Sequence, residues 1–177
     1  MLSKIYYKHK LKSFIAKLQV ERAFVNVNEV SSLMVAIECS DVLELCELER
    51  KLNEILKVIP KVSYLVYVNT KKIEENAQLF AMQNIILCNN DKSWGGVPKT
   101  DVVERLQQIN VDVFVNLNRK ESLLIDFLTQ VVNAKMRVGY VDKSSITELQ
   151  IEVREENSYA EFFEKMLYIF ERFNVKK

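Results

Sequence analysis

Apolar positions in this chain fall into two alternating rhythms. Ser32–Glu38 (SLMVAIE), Val62–Val68 (VSYLVYV), Asn84–Leu87 (NIIL), Val111–Val115 (VDVFV) and Met136–Tyr140 (MRVGY) are short, mostly apolar runs. Runs of that length, rich in β-branched and aromatic residues, read as strands buried on both faces. Between them the spacing changes to three and four. Leu45, Leu48, Leu52, Ile55, Leu56 and Ile59 form one helical stripe, with Asp41 and Glu44 as a capping box before it and Pro60 at its end. Val102, Val103, Leu106 and Ile109 form another, with Thr100 as its expected cap. Leu123, Leu124, Phe127, Leu128, Val131 and Val132 form a third. A short helix is expected around 71–80. Leu149, Ile151 and Val153 alternate with Gln150 and Glu152, as in a half-exposed edge strand. Ser158 and Glu161 then open a last helix that points Phe162, Phe163, Met166, Leu167, Phe170 and Phe173 inward.

Strands alternating with helices predict an α/β fold: a three-layer, Rossmann-like, open and mostly parallel sheet with right-handed crossovers. The expected strand order is 3-2-1-4-5-6. The direction of the sixth strand stays open, because the connection 141–148 is short for a parallel crossover. This α/β domain is expected to span 30–177. Ahead of it, residues 1–22 read as a basic amphipathic segment, with a helix over 2–20. Tyr7, Leu11, Phe14, Ile15 and Leu18 make its apolar stripe, and Lys4, Lys8 and Lys12 its basic one.

Charge sharpens that division. The 177 residues carry a net charge of +1, but residues 1–22 hold five Lys and one Arg against one Glu. The start is therefore +5 and the remainder −4. Such a helix can dock on its own domain, lie on an anionic membrane or bind a partner. Packing on protein is the reading adopted, with a protein partner or self-association expected through it and peripheral membrane contact not favoured. No aromatic-basic motif accompanies the segment, so neither DNA nor RNA is expected.

Scarce residue types narrow the chemistry. Three glycines (Gly95, Gly96 and Gly139) cannot supply a Gly-rich phosphate loop. A single histidine, His9, leaves no multi-histidine metal site, and no cofactor is expected. Cys39, Cys46 and Cys88 are odd in number and form no C-x-x-C, which suits a reducing cytoplasm. Lys8, Lys10, Lys12 and Lys17 interrupt any apolar stretch of signal-peptide length. Cys39 and Cys88 fall at strand ends without a base nearby in sequence and read as small core residues.

In an open α/β sheet a ligand sits beyond the carboxyl ends of the strands, where the strand order reverses. Here that is the gap between the first and fourth strands. Glu38-Cys39-Ser40-Asp41 ends one and Asn116-Leu117-Asn118 ends the other. Ser40, Asp41, Asn116 and Asn118 are candidates for a polar or anionic group, with Tyr140 at the end of the fifth strand; equally, Asp and Asn cap helices and turns. The loop Trp94-Gly95-Gly96-Val97-Pro98 concentrates two of the three glycines, which implies torsions other residues resist. Its indole is either a lid for a sugar or base, or a residue pinned onto the sheet. Without a nucleophile–base pair, a non-catalytic interaction or scaffold protein is the first reading. A binding protein or enzyme using the crevice for a nucleotide, sugar or sugar phosphate is the alternative.

The span 84–153 resembles an uncharacterised family of small bacterial proteins with a domain of unknown function. The likeness runs nearly end to end. It rests on the basic first helix, on Trp94-Gly95-Gly96 as a "W-x-G" loop, and on Val111-Asp112-Val113-Phe114-Val115 as an "F-D-x-L-I" strand. Ala134-Lys135-Met136-Arg137-Val138-Gly139 matches "A-K-F-K-V-G", and Ile151-Glu152-Val153 matches "I-D-V". The same region is also similar to the acceptor-side half of heptosyltransferase-like GT-B glycosyltransferases. There Ser40-Asp41-Val42-Leu43 looks like "G-D-x-L", whose Asp is a candidate base, and Arg137-Val138-Gly139-Tyr140 like "R-x-G-F". Ser40 departs from that glycine, and nothing here matches the nucleotide-sugar half, so the resemblance implies no complete sugar-transfer site.

Overall fold

A computed structural model describes residues 2–18, 21–40, 42–71, 84–141, 146–154 and 159–173. Asp41, Ser158 and the helix expected at 71–80 lie outside these residues. The elements, in chain order, are α1 (Leu2–Ile15), β1 (Ser32–Cys39), α2 (Val42–Ile55), β2 (Lys61–Val68), β3 (Ile85–Leu87), α3 (Thr100–Gln107), β4 (Asn110–Asn116), α4 (Leu123–Val131), β5 (Asn133–Tyr140), β6 (Leu149–Ile151) and α5 (Tyr159–Arg172). Short 3-10 turns sit at Val27–Glu29 and Asn89–Asp91.

The described strands form one six-stranded sheet in the order β3-β2-β1-β4-β5-β6, and every pairing is parallel. This is the architecture the apolar rhythm implies. The sixth strand settles as parallel despite its short connection. It pairs Leu149, Gln150 and Ile151 only with Val138, Gly139 and Tyr140, the last residues of β5. The chain therefore retraces only roughly 10 Å of strand, at about 3.3 Å per residue, before pairing. Arg137 and Glu148 fasten the junction: Arg137 N–H donates to Glu148 Oε2 at 2.7 Å, and the guanidinium Nε donates to both carboxylate oxygens.

Each face of the sheet has its own core, because consecutive strand residues point to opposite sides. Leu33, Val35, Ile37 and Cys39 pack with Leu52 of α2 and Phe162, Phe163, Met166 and Phe170 of α5. Met34 and Ala36 pack with Leu65, Tyr67, Phe114, α3 and α4. Two sequence expectations change locally. Thr100 is the first helical residue of α3, and Lys99 precedes it without a side-chain cap bond. β5 begins three residues early, at Asn133, because Asn110 and Val111 pair with Asn133 and Ala134.

The basic helix lies on the α3/α4 side. Tyr7 and Phe14 each meet the Phe127 ring edge-on, at 5.3 and 6.4 Å. Gln130 donates to the Tyr7 hydroxyl at 2.8 Å, and Gln107 donates to the Phe14 carbonyl at 3.0 Å. The helix ends at Ile15, earlier than expected, and Ile15 itself is exposed. Lys10 is buried and bonds the Pro98 carbonyl. The chain then passes the amino end of β5, where Arg22 bonds the Val132 and Ala134 carbonyls. Burial, and then the charge of Arg137, lowers the Arg22 guanidinium to about 10.

Candidate functional site

At the gap between β1 and β4 Asn116 and Asn118 serve as framework, and Ser40 follows the end of β1. Asn116 is fully buried; its Nδ2 donates to Asp126 Oδ1 at 2.9 Å and to Thr129 Oγ1 at 3.1 Å, and its Oδ1 accepts the Asn118 N–H at 3.0 Å. Asn116 thus locks the end of β4 to the first turns of α4. Asn118 extends the β1–β4 ladder by one rung with a side chain: its Oδ1 accepts the Glu38 N–H at 2.8 Å. Ser40 is exposed, and its N–H donates to Glu44 Oε2 at 2.7 Å, so the carboxylate expected in the capping box closes on Ser40.

Tyr140 lies on the other face of the sheet and is buried. Its ring is 4.7 Å from Phe162, and the Arg119 guanidinium lies 4.5 Å above it. Burial raises its phenol, against the opposing hydrogen bond from Arg119. Tyr159, at the start of α5, is raised by burial and by the neighbouring Tyr140, Glu44 and Cys39. Cys39 and Cys88 are buried and form no disulfide among the described residues, and burial pushes the Cys88 thiol up, the opposite of an activated nucleophile.

A second polar group lies at the same end of the sheet, above β1 and β2 on the α3/α4 side. Glu38 is level with Tyr67 in the β1–β2 register. The Tyr67 hydroxyl donates to Asn89 Oδ1 at 2.5 Å and accepts from Lys92 Nζ at 2.5 Å. Asn89 Nδ2 donates in turn to Asn69 Oδ1 at 3.0 Å. Sequence reading left this group unassigned. The one signal for it is Glu38 itself, a charge inside an apolar strand run. Tyr67 and Lys92 are 25 residues apart and meet only through the sheet.

The tryptophan loop does not take the packed form, pinned onto the sheet, that is one of its two expected roles. Gly95 and Gly96 do have left-handed torsions, φ 85° and 80°. However, Trp94 is 68% exposed and lies edge-on to Tyr6 of α1, with ring centroids 6.0 Å apart, not pinned onto the sheet. Ser93 closes the turn by accepting from Gly96 N–H at 3.2 Å and donating its N–H to Val97 O at 2.7 Å. Leu123, also exposed, lies beside Gly96.

Among the described residues, no three His, Cys, Asp or Glu side chains are grouped to hold a metal ion. No described helix is long and apolar enough to cross a membrane. Compared with known proteins, residues 4–171 match the model of a family described as a family of unknown function, DUF6913. No curated protein and no solved structure matches the chain.

Proposed function

The chain belongs to that family of unknown function, and we propose that it is a non-catalytic interaction protein whose partner docks on the face made by α1 and the tryptophan loop. The carrying observation is Trp94: a large apolar ring held in solvent on a turn of two left-handed glycines and braced by Tyr6. Exposed aromatic groups fixed on rigid elements are the usual anchors of protein interfaces. Exposed Ile5, Tyr6 and Leu123 extend the apolar surface, and exposed Lys8, His9 and Lys12 flank it on α1.

The partner this surface fits is a protein segment carrying an apolar anchor among carboxylates. A lipid surface suits it less well. Membrane-lying helices need a free apolar face, and Tyr7, Leu11 and Phe14 are already used against α4. Support for a non-catalytic role comes from Asn116, which is fully buried at the gap between β1 and β4 with its amide committed to Asp126, Thr129 and the Asn118 N–H. The free thiols suit a reducing, cytoplasmic setting.

A photo-crosslinking residue placed at Trp94 in living cells tests the reading, with one at exposed Glu164 on α5 as control. Position 94 should give a defined protein adduct, mapped by mass spectrometry to a carboxylate-rich segment. Lys8→Glu with Lys12→Glu should abolish it. Adducts to lipid, or equal adducts from both positions, would overturn the proposal.

A further inference from the structure

The polar end of β1 and β2 holds three groups the docking surface does not use. β1 is buried from Leu33 to Ile37, then exposes Glu38. By alternation Glu38 shares a face with Met34 and Ala36, so it marks where the α3/α4 cover stops over a central strand. Among the described residues its carboxylate has no hydrogen bond or ion pair. On one flank, over β2, Lys92 Nζ is held by Tyr67, 2.5 Å from its hydroxyl and 3.9 Å from its ring centre. Among the described residues no carboxylate pairs with Lys92.

On the other flank is Asn118. The Glu38 N–H on Oδ1 settles which end of this amide is which. Among the described residues Nδ2 is then a buried donor with no acceptor, in a side chain of a residue only 8% exposed. A buried donor left unmet is costly, so such a group suits an acceptor supplied from outside the chain.

We propose that this end of the sheet binds a small zwitterion with the head group of an α-amino acid. Its carboxylate would accept from Asn118 Nδ2 and Lys92 Nζ, and its ammonium would donate to Glu38. The order of groups by strand carries the choice. Lys92 is held on Tyr67 of β2, Glu38 ends β1 and Asn118 follows β4, and the formal charges of Lys92 and Glu38 cancel. A bare anion would sit against Glu38 and a bare cation against Lys92, whereas a zwitterion meets both. The place is where the strand order reverses, the general ligand position of open α/β sheets. The proposal does not depend on the docking face.

The test is a titration of the full chain, labelled with nitrogen-15, by glycine, with acetate and methylammonium as half-ligands. Glycine should shift the Asn118 side-chain amide resonances saturably. Each half-ligand should bind at least about tenfold more weakly, and Glu38→Gln should weaken glycine by about tenfold or more. Asn118→Asp keeps the acceptor for Glu38 N–H and removes the donor, so the glycine response, followed in both proteins at the Glu38 backbone amide, should weaken by about tenfold or more. If that variant does not fold, Glu38→Gln at its exposed position decides alone. No shift with glycine, equal binding of acetate, or undiminished binding by Glu38→Gln would overturn the proposal.

Discussion

Lys135 of β5 reaches Asp112 of β4 across the parallel pair, with Nζ 2.7 Å from Oδ1. The other carboxylate oxygen, Oδ2, accepts from the backbone and hydroxyl groups of both Ser31 and Ser32, at 2.7 to 3.1 Å. One charge inside an apolar strand thus ties the entry of β1 to β4 and β5. Burial alone would raise this carboxyl, but the Lys135 ammonium and the serine donors outweigh it and hold it well below the usual carboxylate range.

A depressed carboxyl stabilises the fold above its unfolded value, near 4, and loses that contribution as pH falls toward the folded value. Asp112→Asn should therefore cost about 1–3 kcal/mol near neutral pH. Its stability should also fall less steeply than the parent's on acidification to about pH 3. Urea unfolding at a series of pH values measures both. A variant with the parent's acid dependence would mean that Asp112 does not control it.

Two ion pairs on this molecule should behave differently. Arg137 and Glu148 are mostly buried; burial raises the Glu148 carboxyl, and the Arg137 guanidinium more than reverses it. Lys17 and Glu104 are 3.8 Å apart and both more than half exposed. Glu148→Ala should cost about 1–3 kcal/mol and speed amide exchange in β6, since it strips a buried guanidinium of its partner. Lys17→Ala should change stability by under about 0.5 kcal/mol. Equal losses would refute the distinction.

The strand order was legible because alternation between two apolar periods leaves few ways to cover both faces of a parallel sheet. Asp112 shows what stays hidden. In VDVFV it reads as a lone polar residue, and its role depends on Ser31 and Ser32, about 80 positions away, arriving at the same strand end. Lys10 lies outside both stripes of α1, yet it is buried because the Pro98 carbonyl waits beneath it. Topology alone brings the ends of β1 and β4 side by side. The commitment of Asn116 to Asp126 does not show in the sequence, since it depends on the docking of α4.

Gly95→Ala and Gly96→Ala test how the tryptophan loop is held. Among the described residues a Cβ on Gly96 would meet Leu123 Cδ1 alone, at an ordinary 3.7 Å, so the cost there comes from the positive φ and not from crowding. Each substitution should destabilise by roughly 1–2 kcal/mol and move the Trp94 emission, as the indole leaves Tyr6. Unchanged emission in both variants would show that the glycines do not set the indole's place.

Phe14 and Ile15 are neighbours on α1, and periodicity assigns both to its apolar stripe. In the fold Phe14 is 3% exposed against Phe127, whereas Ile15 is 44% exposed. If α1 is docked in solution, Phe14→Ala empties a packed position and should cost about 3–5 kcal/mol. Ile15→Ala should then cost under about 0.5 kcal/mol, as a surface change. If the helix instead stands free until a partner binds, neither change should alter the unfolding of the body. The comparison also bears on the docking face, because Tyr6 braces Trp94 only while α1 lies against α4. A large loss for Phe14→Ala with a shift in Trp94 emission, and neither effect for Ile15→Ala, is the expected pattern. Thermal unfolding followed by tryptophan fluorescence reads both quantities in one measurement.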